Sequence, residues 1–412
     1  MGSIDRSYQL LAARYVGKQV ARLSREMSGA QKAKGVERVH QARVASRRLR
    51  AALRMFRGCF PGRKPRRWRK EIGRLTKGLG PARDADVQIE FVREFMLSLE
   101  DRPCRPGVRR LLVRLRQQRK ALQPKVVKAV DRTVASGVLR DMAAAAKAFQ
   151  SLLEGRDVSI WSPFVFLRAE RLILRRLEKV LTLQDCLADP AEVQRHHEMR
   201  IATKRLRYTM EICKPIYEGR LDEFVDEAKA VQTLLGEIHD CDVWMGMLPA
   251  FMEAERSRTL AYYGTARPFH RLAIGLEHLR EERRQQRYAR FAELTEHWQD
   301  LSRRGVWDRL AGMVVSCVQQ SVRSEPPAEP PAEATPEPCD EATPEAPEAE
   351  IQQKLDEPPP APRPEPPPPE PPAADLPVPD AAGPTEPPAP AERIEPPQDT
   401  SQPADTPSDA AP

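Results

Sequence analysis

This 412-residue sequence predicts an all-α fold built from two related halves and followed by a segment that cannot form a core. Three observations carry the expectation. Up to residue 324, apolar residues recur at spacings of three and four among Ala, Leu, Arg, Glu and Gln, with no alternating β-branched run between turns. A motif beginning at His40 returns 157 residues later with its charges in register. From Glu325 to the end, 30 of 88 residues are proline.

The elements follow from the punctuation. Helix breaks are expected at Ser28-Gly29, Phe60-Pro61-Gly62, Gly80-Pro81, Pro103 to Gly107, Gly155, Ser162-Pro163, Asp189-Pro190, Pro268 and Gly305. They predict helices near 6–28, 35–58, 64–80 and 84–122, making a first half over 5–122. A connecting helical segment spans 123–160. The second half, 161–300, holds helices near 163–182, 191–217, 221–238 and an interrupted 240–297. Two pseudo-symmetric four-helix bundles, joined in one domain over 5–300, are the expected architecture. An amphipathic helix over 305–323 comes next, and its apolar row of Val306, Leu310, Met313, Val314 and Cys317 could dock a partner.

Residues 324–412 read differently. The 21 Asp and Glu there face only Lys354, Arg363 and Arg393, so the formal charge of +8 divides into +26 before residue 325 and −18 after it. Proline removes backbone donors and fixes φ, and few large apolar residues offset the entropy of ordering, so a disordered, extended acidic tether is expected. Pro366 to Pro369 would suit an SH3-like groove, although a solvated spacer is the simpler reading.

Seven scattered cysteines (Cys59, Cys104, Cys186, Cys213, Cys241, Cys317 and Cys339) never fall in a C-x-x-C pair, which points to reduced thiols. The first residues, Met1 to Asp5, hold no apolar signal core, and no run approaches the roughly 18 apolar residues of a membrane span. A soluble, cytoplasmic protein without a membrane span is expected.

The repeated motif is the informative feature. His40 to Arg50 (HQARVASRRLR) returns as His197 to Arg207 (HEMRIATKRLR), and Leu79 to Val87 (LGPARDADV) returns as Leu235 to Val243 (LGEIHDCDV) at an offset of 156. Arg14, Lys18 and Arg22 match Arg171, Arg175 and Lys179 at 157, while Arg116 and Arg119 match Arg284 and Arg287 at 168. At about 100° per residue, His40, Arg43, Arg47, Arg50 and Arg54 share a stripe about 80° wide, opposite a core face of Ala45, Leu49, Ala52, Leu53 and Phe56. His197, Arg200, Lys204 and Arg207 occupy the same angles in the second copy. Arg48 and Arg205 point away from the stripe, toward a neighbouring helix.

Like charges three and four apart on a helix repel. A sequence that repeats this cost without interleaved Glu implies an anion, and Arg forks suit phosphate oxygens. A lone charge run is usually a solvated face; two copies beside a charge of +26 favour a site. If the stripes face each other, they line a basic central cavity. Asp84, Asp86, Asp240 and Asp242 are expected to cap the next helix or anchor arginines. His196, His197 and the pair His239-Asp240 are superficially similar to a phosphohydrolase metal set, but Arg83 stands where the second half has His239, so no metal is expected.

The doubled pattern H-x-x-R-x-x-x-R/K-R-L-R followed by L-G-x-x-R/H-D-x-D-V resembles the CHAD domain, the conserved histidine α-helical domain, over about residues 5–300. The resemblance implies a helical fold in two pseudo-symmetric halves, with a basic pore that binds inorganic polyphosphate and a place at polyphosphate granules among their proteins. It assigns ligand contact directly to His40, Arg43, Arg47, Arg50, His197, Arg200, Lys204 and Arg207. By repeat position and charge it extends more loosely to Arg14, Lys18, Arg171, Arg175, Arg116, Arg119, Arg284 and Arg287; the stripes themselves add Arg54, Arg22 and Lys179 as candidates, with Arg48, Arg205, Arg83 and His239 in support. One departure is that the third helix is basic in the first half (Arg66, Arg67, Arg69, Lys70, Arg74, Lys77) and acidic in the second (Asp222, Glu223, Asp226, Glu227).

The sequence has no E-x-E-x-K strand of a fused triphosphate-tunnel (CYTH) domain, no Walker loop and no HExxH, so neither catalysis nor a cofactor is expected. Two rivals remain. A nucleic-acid-binding protein would share the attraction to phosphates, but aromatics are only 6% and offer few stacking platforms, so nucleic acid is expected to bind nonspecifically. An enzyme on phosphate chains could use His40 or His197, but it would lack clustered carboxylates for magnesium.

Overall fold

Ten α-helices and three short 3-10 turns make up the described residues, 5–31, 36–154 and 158–323, of the computed structural model, with no strand among them. The expectations for 324–412 lie outside the described residues. In the first half, α1 is Arg6–Gln31, α2 Val36–Met55, α3 Lys64–Ser98, α4 Arg105–Ala135 and α5 Val138–Glu154. In the second, α6 is Pro163–Leu181, α7 Val193–Tyr217, α8 Asp222–Tyr263, α9 His270–Arg303 and α10 Val306–Arg323.

The repeated unit therefore has five helices rather than four. The connecting segment supplies α5 and the amphipathic helix supplies α10, at the 168 offset that relates α4 to α9. Both follow a glycine in the left-handed region, Gly137 at φ +65° and Gly305 at φ +58°, a conformation that side chains with a Cβ resist. Helix α5 packs on α1 and α10 on α6. Val306, Leu310, Val314 and Cys317 are buried in that packing, so the apolar row of α10 already has its partner within the chain.

The breaks expected at Gly80-Pro81 and after Leu235-Gly236 are absent, because α3 and α8 run straight through both. Pro81 is exposed and forfeits one N–H, a cost of about 3 kcal/mol in an isolated helix. Burial of Ile72, Leu75 and Leu79 on the opposite side outweighs it. The chain turns instead at 99–104 and 264–269, so the helices expected over 84–122 and 240–297 are each two elements meeting at a hairpin. Asp84, Asp86, Asp240 and Asp242 consequently lie inside helices and cap none.

Two apolar clusters hold the ten helices. The larger spans both halves and includes Phe56, Trp68, Ile173, Leu206 and Tyr217. The smaller joins the far ends of α3 and α8 to the starts of α4 and α9 through Val92, Leu111, Trp244, Leu248 and Leu276. Between the clusters each half repeats one ion pair: Arg119 reaches Asp86 at 2.6 Å, and Arg287 reaches Asp242 at 2.5 Å. The cysteines at 59, 104, 186, 213, 241 and 317 are buried free thiols. Among the described residues no helix is long and apolar enough to cross a membrane.

Helices α4 and α9 touch backbone to backbone. A Cβ on Gly107 would stand 2.1 Å from the Leu272 carbonyl oxygen, and one on Gly275 would stand 1.8 Å from that of Cys104. The two glycines are related by the 168 offset, so each half leaves the same gap for the other. Gly107→Ala or Gly275→Ala should each cost about 3 kcal/mol in denaturant unfolding, since main chain and not a flexible tip must move. Gly246→Ala and Gly312→Ala meet open space within helices and should gain about 0.5–1 kcal/mol. Equal effects at all four positions would refute the close packing.

Candidate polyanion site

Sequence pattern places α2 and α7 against the same core. Ala42, Ala45, Leu49, Ala52 and Leu53 bury one side of α2, and Met199, Ala202, Leu206 and Met210 bury the matching side of α7. With those faces committed, the two helices meet across their cationic sides. A cavity of about 770 Å³ opens beside the meeting point. Helix α2 contributes Arg47, Arg50 and Arg54, with Arg57 just beyond its end; α7 contributes Lys204 and Arg205; α6 contributes Arg168 and Arg176. No Asp or Glu lines it, and none of these eight cations has a carboxylate partner among the described residues.

The titration behaviour reflects this crowding. Burial, then the charges of Arg47, Arg200, Arg43 and Arg205, pushes the Lys204 ammonium down to about 7. Burial also lowers Arg54, ahead of repulsion from Arg50, Arg205, Arg176 and Arg69, and it lowers Arg176, ahead of Arg205 and Arg175. Such a cluster costs free energy until an anion neutralises it.

The second motif flanks the cavity. Arg43 meets Asp84 at 3.4 Å, and Arg200 lies in the field of Asp240. Gly80 and Gly236, the glycines of the motif, lie beneath these guanidiniums, each with its Cβ position 3.9 Å from an arginine nitrogen. His40 is lowered by burial and then by Arg83. In the second half the His197 and His239 rings lie tilted at 43° to each other with centroids 4.6 Å apart, and burial followed by Arg200 lowers His239. His196 is turned away, its Nε2 sitting 2.8 Å from the Cys186 carbonyl oxygen. Among the described residues no three His, Cys, Asp or Glu gather as a metal site would need.

The other expected residues divide plainly. Arg48 and Arg207 both hold Glu211, at 3.2 and 3.4 Å, while Arg205, expected to face away, lines the cavity. Arg119 and Arg287 tie helices together through Asp86 and Asp242, where they are needed as counter-ions to carboxylates in the interior. Arg22 donates to Gln41 at 2.8 Å, and Arg284 pairs with Glu281 at the surface. Arg14, Lys18, Arg116, Arg171, Arg175 and Lys179 are exposed and do not line the cavity. Sequence reasoning missed Arg57, Arg168 and Arg176. Positions 11 and 19 of the first half carry Leu and Gln where the second has Arg168 and Arg176, so a search for recurring charges passes over them.

Comparison with known proteins gives one family. The CHAD domain family model matches residues 14–249. Two proteins from strains of Mycobacterium tuberculosis are each 30% identical over 226 residues, covering 51% of this chain and 39% of theirs. The chain thus spans about two fifths of the length of these curated relatives. A crystal structure of the CHAD domain from the plant Ricinus communis superposes with a TM-score of 0.54 at 20% identity, covering 71% of this chain and 91% of that one, a likeness of fold.

The depressed Lys204 has a consequence for stability. A base whose folded pKa lies below its unfolded value leaves the unfolded state holding more protons between about 7 and 10.5, so stability rises with pH across that window. Lys204→Met, which removes the charge, should be more stable than the parent by about 1 kcal/mol at pH 6. The advantage should shrink toward pH 9, as the parent sheds the proton. Denaturant titrations of both proteins at the two pH values test this, and an advantage that grows with pH would refute it.

Proposed function

This chain belongs to the CHAD domain family, and we propose that it binds a linear polyanion, inorganic polyphosphate above others, in the cavity beside the α2–α7 meeting point. The observation that carries the reading is the set of eight cations, drawn from both halves, around one cavity with no carboxylate among its described lining residues. Arginine forks match phosphate oxygens two at a time, and an extended phosphate chain presents such oxygens along its whole length. Binding then relieves the repulsion the fold maintains, so much of the affinity comes from charge placed in advance. Association with polyphosphate granules and their proteins follows for a protein that holds granule material.

Nucleic acid is a poorer occupant. Base stacking needs free aromatic faces, but Tyr8 and Phe164 pair with each other at 6.1 Å, and Arg207 lies over Tyr208 at 5.1 Å from its centroid. Weak, salt-sensitive association with phosphate backbones remains. Hydrolysis of phosphate chains also lacks support, because the described lining residues supply no set of magnesium-binding carboxylates.

Calorimetric titration with long-chain polyphosphate should show affinity rising with chain length and falling steeply with salt. Arg47→Glu with Lys204→Glu should weaken it about 100-fold or more while leaving helicity intact. Affinity equal to that for orthophosphate, or an unaffected double variant, would overturn the assignment. Because an anion favours protonated Lys204, binding at pH 7.5 should take up protons, and affinity should fall from pH 7 toward pH 9. Pure protein should release no phosphate from polyphosphate or nucleoside triphosphates with magnesium or manganese. Turnover lost in His40→Ala or His197→Ala would replace the binding reading with an enzymatic one.

A further inference from the structure

The two halves are alike in fold and unlike in charge, and the differences fall on one side of the site. The cavity uses Arg50, Arg54, Leu172 and Arg205. At the repeat offset of 157, their counterparts are Arg207, Glu211, Tyr15 and Arg48. Where the first half has Arg54, the second therefore has a carboxylate. Glu211 is only 16% exposed, and it draws Arg48 to 3.2 Å and Arg207 to 3.4 Å. Tyr15, larger than Leu172 and partly buried, lies in the field of both Glu211 and Arg48. At the position that pseudo-symmetry would make a second opening, one carboxylate is shared by the two arginines where the cavity side has three arginines and no carboxylate, and none of these four side chains lines the cavity.

The same half loses the approach to the site. Gly73 of α3 leaves room beside Arg50, its Cβ position 3.9 Å from the guanidinium Nε. At about 100° per residue, Arg66, Lys70 and Lys77 lie within about 60° of Gly73 along α3. All three are exposed and have no carboxylate partner among the described residues. Arg69, on the same helix, adds its charge to Arg54 at the cavity wall. In α8 the counterparts of Arg66, Lys70 and Lys77 are Asp222, Asp226 and Thr233, and Asp222 is held by Lys214 at 2.7 Å. A cationic track about 16 Å long thus borders the open mouth in the first half only.

We propose that the site is one-ended: it seats the terminus of a phosphate chain in the cavity, and the body of the chain leaves along α3 over Arg66, Lys70 and Lys77. This rests on the polyphosphate reading and refines it. A chain threaded through its middle needs two exits, and Glu211 stands where the second would be. A chain end needs one. The end is also where charge is densest, because a terminal phosphate carries a second ionisable oxygen that an internal unit lacks. A blind pocket of unpaired cations favours that end over any internal unit.

The test uses the full chain and three probes: long linear polyphosphate, the same material with both ends blocked by a bulky phosphoramidate, and the pair of linear tripolyphosphate and cyclic trimetaphosphate. Blocked chains should bind at least tenfold more weakly than free ones, and the linear trimer should out-compete the ring by a similar factor. The combined Arg66→Glu, Lys70→Glu and Lys77→Glu variant should lose about tenfold for the long free chain and nothing for the trimer. Glu211→Arg, which installs the residue of the first half, should recover part of the affinity for blocked chains; Glu211→Gln gives the same direction if the arginine disturbs folding. Blocked and free chains binding alike, or a track variant with undiminished long-chain affinity, would overturn the one-ended site while leaving polyphosphate binding in place. Failure of every chain to bind would overturn the polyphosphate reading itself.

Discussion

Repulsion between α2 and α7 is the constraint on which the rest of the structure depends. Burial, and after it the charges of Arg47, Arg200 and Arg43, drives the Lys204 ammonium down to about 7. At that point one ion pair, Arg48 to Glu211 at 3.2 Å, joins α2 to α7. Most of the cohesion must come from elsewhere, and it does: a shared apolar cluster and a second one that joins α3 and α8 to the starts of α4 and α9. Long helices are what allow this. Had α3 ended at Pro81, the second cluster and the Gly107–Gly275 contact would not exist, and the cationic sides would have little to hold them in register.

The interior carboxylates fit the same logic. Asp86 and Asp242 carry charge between the two clusters, and each is met by an arginine from the next helix at 2.6 or 2.5 Å. A buried pair of this kind adds little net stability against an apolar substitute, but breaking it strands a charge, so it fixes which residues face each other. Asp84 differs. It is exposed and stands 3.4 Å from Arg43, close enough to steady the guanidinium and open enough to be displaced by a stronger anion.

Much of this was legible because the chain states it twice. The stripe from His40 to Arg54 and the core face of Leu49 and Leu53 follow from the periodicity, and their second copy on α7 from the 157 offset. What escaped is what a repeat or a local rule cannot carry. Pro81 reads as a stop until the burial of Leu79 and Ala82 is known, and that burial comes from distant segments. Gly137 and Gly305 hold the same left-handed turn, but the residues after them diverged too far for α5 and α10 to be paired by eye. Arg119 and Arg287 recur faithfully, and recurrence alone did not say that their partners are interior aspartates rather than a ligand. Arg168 and Arg176 line the cavity without recurring at all.

That last contrast separates two kinds of constraint on a duplicated fold. Residues on the pseudo-twofold see both halves at once, so a change there disturbs two environments together: Gly107 and Gly275 at the backbone contact, and Arg43 and Arg200 over their glycines, keep the same roles in each half. Residues away from the axis do not face their own counterparts and are free to differ. Glu211 for Arg54, Asp222 for Arg66 and Gln19 for Arg176 are differences of that second kind, and all three change charge. Twofold backbone symmetry therefore places no twofold requirement on the electrostatic field. Such a fold can gather a cluster of unpaired cations on one side only, because the core that positions the helices is indifferent to the sign of the charges beyond it.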